Sequence, residues 1–234
     1  MPTALTQPKI RIKICGLTRP QDVQDAVRLG ADAIGFVLYE KSPRAISAQQ
    51  AATLCRLLPP FVTPVLLFVN APPEQVQEAL RLMPQALLQF HGDEPPDECQ
   101  NYRHPYLKAA RIPNDPLGAL AFDLHQFCQT YASAQGILLD SLSPQFGGTG
   151  ETFNWDGLPL LPTTHLVLGG GLNAQNVVHA ISVVGPKGLT LAVDVSSGVE
   201  SAKGIKDARK MAAFIQAVRP PPLNGCSLAQ RPTI

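Results

Sequence analysis

The chain has no two cysteines separated by two residues, and its five cysteines (Cys15, Cys55, Cys99, Cys128 and Cys226) are odd in number and widely spaced. This pattern suggests neither a zinc site nor a disulfide framework, and it fits a reducing, cytoplasmic setting. An excess of one charge is missing as well. The 19 Lys and Arg against 18 Asp and Glu leave a formal charge of +1, so a nucleic acid backbone or an acidic membrane is not an expected partner. No apolar run reaches the length a bilayer span needs. The first residues lack a basic stretch followed by an apolar one, so no secretory signal is expected. The first strand-like run is not followed by G-x-G-x-x-G, which weakens an open, doubly wound dinucleotide-binding sheet.

At 234 residues and 45% hydrophobic content, the chain fits one domain with a sizeable core. Strand-like runs recur at residues 11–17, 33–38, 64–70, 86–92, 106–112, 136–141, 165–170 and 189–196. Helix-like stretches lie between them at 20–29, 48–58, 73–83, 173–182 and 207–218, with a weaker one at 155–161 that carries Pro159. Several have start signals: Pro20 after Thr18-Arg19, Ala48 after Ser47, and Pro72-Pro73 before Glu74. Strands alternating with helices imply βαβ units and a parallel sheet. Eight units favour an α/β fold of the (β/α)8 TIM barrel type. The expected layout is an extension over 1–9, a barrel over 10–218 and a proline-rich tail over 219–234.

In such a barrel, chemistry collects at strand C-termini. The first strand alternates, with Ile10, Ile12 and Ile14 on one side and Arg11, Lys13 and Cys15 on the other. Two cations and a thiol on an inner wall would cost several kcal/mol each if unpaired, so an anionic substrate is expected. Cys15 is a candidate base whose unperturbed pKa of about 8.5 leaves a few percent thiolate at neutral pH. Lys13 would favour that thiolate. A buried cysteine acting as a small hydrophobe is the competing reading, and it is the better one for the other four.

Arg44, in the polar loop after strand two, could grip a carboxylate with two hydrogen bonds. Gln89 and His91 share one face after strand four, where the histidine could contact substrate or merely hold a loop. Asp140 ends strand six; burial would raise its pKa and let it serve as a general acid, although a capping role is open. Gly147, Gly148 and Gly150 follow it, as lid hinges or a plain turn. Gly170 and Gly171 after strand seven, and Ser196, Ser197 and Gly198 after strand eight, form two small-residue loops suited to a phosphate. Asp194 could orient donors or bind a sugar hydroxyl.

These motifs together resemble phosphoribosylanthranilate isomerase, the TrpF family. The resemblance runs from Lys13 to about Phe214. It rests on Lys13-Ile14-Cys15-Gly16-Leu17-Thr18, Ser42-Pro43-Arg44, Gln89-Phe90-His91-Gly92, Leu138-Leu139-Asp140-Ser141, Gly147-Gly148-Thr149-Gly150, Gly170-Gly171-Leu172, Val193-Asp194-Val195-Ser196-Ser197-Gly198-Val199-Glu200 and Gly204-Ile205-Lys206-Asp207. It implies an Amadori rearrangement of a phosphoribosylated anthranilate in tryptophan biosynthesis, by acid–base catalysis with no cofactor and no metal. Cys15 would then be the base, Asp140 the acid and Arg44 the contact to the anthranilate carboxylate. The expected partner is that small phosphosugar, the expected state a monomer or homodimer.

Lys203 departs from the family pattern before Gly204, in a place expected to affect loop rigidity and not the reaction. Two other readings stay open on the residues alone. One is a phosphosugar isomerase of the histidine pathway, disfavoured because that type resembles a two-aspartate arrangement. The other is a catalytically inactive phosphate-binding barrel, which would not need both Cys15 and Asp140.

Overall fold

A computed structural model describes residues 9–115, 117–118, 122–142 and 150–220 of the chain. Eight parallel strands close into a barrel in chain order: β1 (Arg11–Cys15), β2 (Ala33–Val37), β3 (Thr63–Phe68), β4 (Leu87–Phe90), β5 (Tyr106–Ile112), β6 (Gly136–Ser141), β7 (Leu161–Leu168) and β8 (Gly188–Val195). Pairing of β1 with β8 seals it, with Lys13 opposite Asp194. The described helices are α1 (Pro20–Leu29), α2 (Ala48–Cys55), α3 (Pro73–Leu82), α4 (Pro96–Asn101), α5 (Leu124–Thr130), α6 (Val177–Val184) and α7 (Ala208–Val218).

Local chemistry sets these boundaries. Pro20 opens α1, where its missing N–H costs nothing, and Gly30 closes it at φ 100° with its N–H on the Ala26 and Val27 carbonyls. Ser47 and Gln50 form a reciprocal capping box on α2. The Asp207 carboxylate accepts the Arg209 and Lys210 N–H groups at the start of α7.

Departures from the sequence reading are local. The weak stretch at 155–161 makes a turn, not a helix; it carries Pro159, and β7 already begins at Leu161. The helix expected at 173–182 starts later, because Asn173 and Asn176 spend their side chains on backbone N–H groups in the preceding turn. A small antiparallel hairpin, β9 (Glu200–Ala202) with β10 (Ile205–Lys206), follows β8 and was not anticipated. Gly147 and Gly148, the N-terminal extension up to residue 8 and the tail from 221 lie outside the described residues.

The main core lies between barrel and helices, where Ile12, Ile14, Ile34, Phe36, Leu66, Phe68, Leu88 and Phe90 are buried. Each such side chain contributes roughly 1.5–3 kcal/mol. A second, small cluster of Cys15, Val37, Leu67 and Val69, flanked by Tyr39, is separate from that core and lines a cleft. Of the three residues expected on the inner wall of β1, Lys13 and Cys15 are buried. Arg11 is exposed and pairs with Asp32 at the start of the strand.

Candidate active site

Strand β1 carries Lys13 and Cys15 inward, two residues apart, and their space is provided by the neighbouring strand. Cys15 pairs in register with Gly35 of β2. A Cβ at Gly35 would stand 2.7 Å from the sulfur and 3.1 Å from Lys13 Cε. Lys13 Nζ donates to Asp194 Oδ1 at 3.0 Å across the β1–β8 seam. Burial pulls the Lys13 ammonium down, but Asp194 and Cys15 outweigh it and leave its pKa raised. Burial pushes the Cys15 thiol up; Lys13 opposes this, Asp194 reinforces it, and the net pKa is raised. The sequence-based expectation that Lys13 would yield a thiolate therefore has the sign of that one interaction right and its rank wrong.

Three strands around the barrel from β1, Asp140 is the next-to-last residue of β6. Its Oδ1 accepts the Ser141 N–H at 2.9 Å, and Oδ2 lies 2.9 Å from His91 Nε2. His91 Nδ1 in turn lies 2.9 Å from Gln89 Nε2. These side chains are buried, yet Cys15, Gln89, His91, Asp140, Asp194 and Arg44 all line one cleft of about 820 Å³, counted out to solvent. A thiol and a carboxyl thus border the same space from strands on different sides of the barrel.

Arg44 is not a loose surface arginine. Its Nε and Nη2 donate to the two carboxylate oxygens of Glu200 at 2.7 and 2.8 Å, and Lys206 Nζ donates to the same carboxylate at 2.8 Å. Burial works against the Glu200 anion, but Arg44 and Lys206 outweigh it and hold its pKa below the usual carboxylate range. Lys206 also donates to the carbonyl and hydroxyl of Ser196, whose hydroxyl donates to the Cys15 carbonyl at 3.0 Å. The β9–β10 hairpin thereby ties the Arg44 loop to the end of β8.

The loops after β7 and β8 lie against each other. A side chain at Gly198 would meet the Leu172 carbonyl at 2.0 Å, and one at Gly171 would meet the Glu151 backbone at 2.6 Å. Gly170 backs onto Asp140, 3.1 Å from Oδ1 for an added Cβ. Of the five residues expected at a phosphate, Ser196 lines the cleft, while Gly170, Gly171, Ser197 and Gly198 sit on the loops beside it.

Sequence reasoning gave no role to Glu200 and Lys206, although both fall within the resembling motifs. Lys203, expected to matter only to its loop, lines the cleft. Outside the cleft, Lys108 of β5 donates to Glu94 Oε2 at 2.7 Å and to the Gly92 carbonyl at 2.9 Å. Glu94 Oε1 accepts the Asn70 and Gly92 N–H groups, so this buried pair binds the segments just after β3 and β4 to β5.

The family model for N-(5'phosphoribosyl)anthranilate (PRA) isomerase matches residues 12–217. The chain is 54% identical over 215 residues to the N-(5'-phosphoribosyl)anthranilate isomerase of Leptothrix cholodnii, covering 92% of this chain and 93% of that one. The crystal structure of phosphoribosyl anthranilate isomerase from Thermotoga maritima superimposes with a TM-score of 0.76 at 39% identity, over 89% of this chain and 98% of that one. A phosphoribosyl anthranilate isomerase in complex with reduced 1-(o-carboxyphenylamino)-1-deoxyribulose 5-phosphate gives a TM-score of 0.71 at 35% identity, over 89% and 98%.

Proposed function

Given that the chain belongs to the N-(5'-phosphoribosyl)anthranilate isomerase family, we propose that Asp140 is its general acid and Cys15 its general base. The enzyme is an aldose–ketose isomerase of tryptophan biosynthesis, converting N-(5-phosphoribosyl)anthranilate to 1-(2-carboxyphenylamino)-1-deoxyribulose 5-phosphate. The observation that carries the assignment is the common cleft bordered by Cys15 from β1 and Asp140 from β6.

Asp140 gives its proton to the furanose ring oxygen. The C1′–O bond breaks toward that oxygen, and the anilino nitrogen closes to an iminium. The cationic nitrogen acidifies the C2′ proton, which the Cys15 thiolate removes to leave an enolamine. Return of a proton to C1′ and loss of the 2′-hydroxyl proton give the ketone and leave both groups as they began. Acid and base work on different faces of the sugar, which suits their separation around the barrel.

Arg44 has Nε and Nη2 on Glu200 and directs Nη1 to the anthranilate carboxylate. The loops around Gly170, Gly171, Ser196, Ser197 and Gly198 offer backbone N–H groups to the phosphate. A reducing, cytoplasmic setting is supported by four free cysteines among the described residues.

The test is turnover followed by loss of anthranilate-type fluorescence. Cys15→Ser and Asp140→Asn proteins should each lose about 10²–10⁴ in kcat with KM little changed. Turnover at the wild-type rate in either variant removes that residue from its role.

A further inference from the structure

Gln89, His91 and Asp140 form a buried line from the end of β4 to the end of β6, with contacts of 2.9 Å at both joints. Gln89 is 0% and His91 3% exposed, so both side chains are held within the protein at the floor of the cleft. The carbonyl oxygen of the Gln89 side chain is buried with no partner among the described residues.

A neutral imidazole carries a single N–H. With the Gln89 nitrogen on Nδ1, that ring nitrogen must accept, so the N–H falls on Nε2 and is donated to Asp140. Such a bond favours the carboxylate and works against an acid. A half-turn of the Gln89 amide, which exchanges two atoms of nearly equal size, reverses every role. The amide oxygen then accepts Nδ1–H, Nε2 offers its lone pair, and Asp140 Oδ2 donates a proton to it. Either orientation leaves one end of the amide unpaired, at about 1–3 kcal/mol, so burial does not lock the first. Asp140 Oδ1 is already committed to the Ser141 N–H, which leaves Oδ2 as the oxygen that carries the proton.

Resting on the reading of Asp140 as the acid, we propose that Gln89 is a positioning residue: its amide oxygen, turned onto His91 Nδ1, fixes the Nδ1–H tautomer and thereby stores a proton on Asp140 Oδ2. The stored proton leaves when the sugar ring oxygen takes it, and the 2′-hydroxyl of the enolamine restores it. His91 exchanges no proton in the cycle. Gln89 acts through its neighbour and not on the substrate.

Gln89→Met keeps shape and neutrality, so it isolates this hydrogen-bond line. The charges bordering the cleft (Cys15, Tyr39, Lys41, Arg44, Asp194 and Lys203) are unchanged, as is Arg111, which neighbours Asp140 across β5 and β6. The full chain is labelled with nitrogen-15, and imidazole spectra are recorded near neutral pH, the His91 signal being assigned by its loss in His91→Gln. Wild type should show the Nδ1–H tautomer and Gln89→Met the Nε2–H tautomer. In Gln89→Met, kcat at neutral pH should fall about tenfold, with KM within about twofold.

A wild-type Nε2–H signal overturns the proposal without any variant. So does an unchanged kcat in Gln89→Met, or a raised KM with kcat intact, the mark of a direct substrate contact. Wild-type turnover in Asp140→Asn would instead overturn the acid assignment, a separate measurement.

Discussion

Replacing Asp194 by Asn should make Cys15 more reactive, and replacing Lys13 by Met should make it less so. Lys13 and Asp194 are 3.0 Å apart with side chains 5% and 11% exposed. At an effective dielectric of about 20, their gross attraction is roughly 5 kcal/mol, enough to hold them as a pair. The sulfur therefore senses a nearly neutral pair, and burial is left to dominate and raise its pKa. Removing the Asp194 charge leaves a cation beside the thiol. An opposite charge at close range lowers a pKa by about 1–3 units, so at least about tenfold more thiolate is expected at neutral pH. Removing Lys13 instead leaves a buried anion, and the thiolate should fall by at least about tenfold. In wild type the Cys15 thiolate fraction should therefore keep rising with pH beyond the midpoint of an ordinary thiol. The assay is the pH dependence of iodoacetamide alkylation, read by peptide mass mapping so that Cys15 is distinguished from Cys55, Cys99, Cys128 and Cys226. If both variants shift Cys15 in the same direction, or the wild-type midpoint lies below that of a free thiol, the electrostatic reasoning is wrong.

Glu94→Gln strands the Lys108 ammonium in a site where both side chains are no more than 2% exposed. Breaking such a pair costs about 3–5 kcal/mol, or roughly 6–20 °C in Tm for a chain of this size, readable by calorimetry; a shift within about 2 °C would contradict it. Glu200→Gln frees Arg44 from its carboxylate clamp, so KM should rise by at least about tenfold (about 1.4 kcal/mol). The same change should do little to a substrate analogue lacking the anthranilate carboxylate, and an equal loss with both substrates would mean that Glu200 serves the fold alone.

What could be read in the sequence was whatever a strand spells out by itself. The alternation of β1 separates Ile12 and Ile14, in the main core, from Lys13 and Cys15, in the cleft. Asp140 and His91 stand at or just beyond strand ends, where barrel chemistry is expected. What stayed hidden depends on partners far away in the chain. Lys13 meets Asp194 across 181 positions, and Arg44 meets Glu200 across 156. No local pattern indicates that Arg44 is buried and shared with Lys206. Desolvation of Cys15 was equally invisible, because it is set by strands other than its own. The missed helices α4 and α5 have six and seven residues, too few to establish a period.

The vacancy at Gly35 has a consequence for folding fidelity. Cys15 faces Gly35 only in the native pairing of β1 with β2. A slip of one residue would bring Ile34 or Phe36 against the sulfur, in a position where even a methyl group does not fit. Such a mispaired barrel would be chemically silent even where its helices had formed. Specific activity of a refolded preparation therefore counts correctly registered molecules, which neither compactness nor helix content can do.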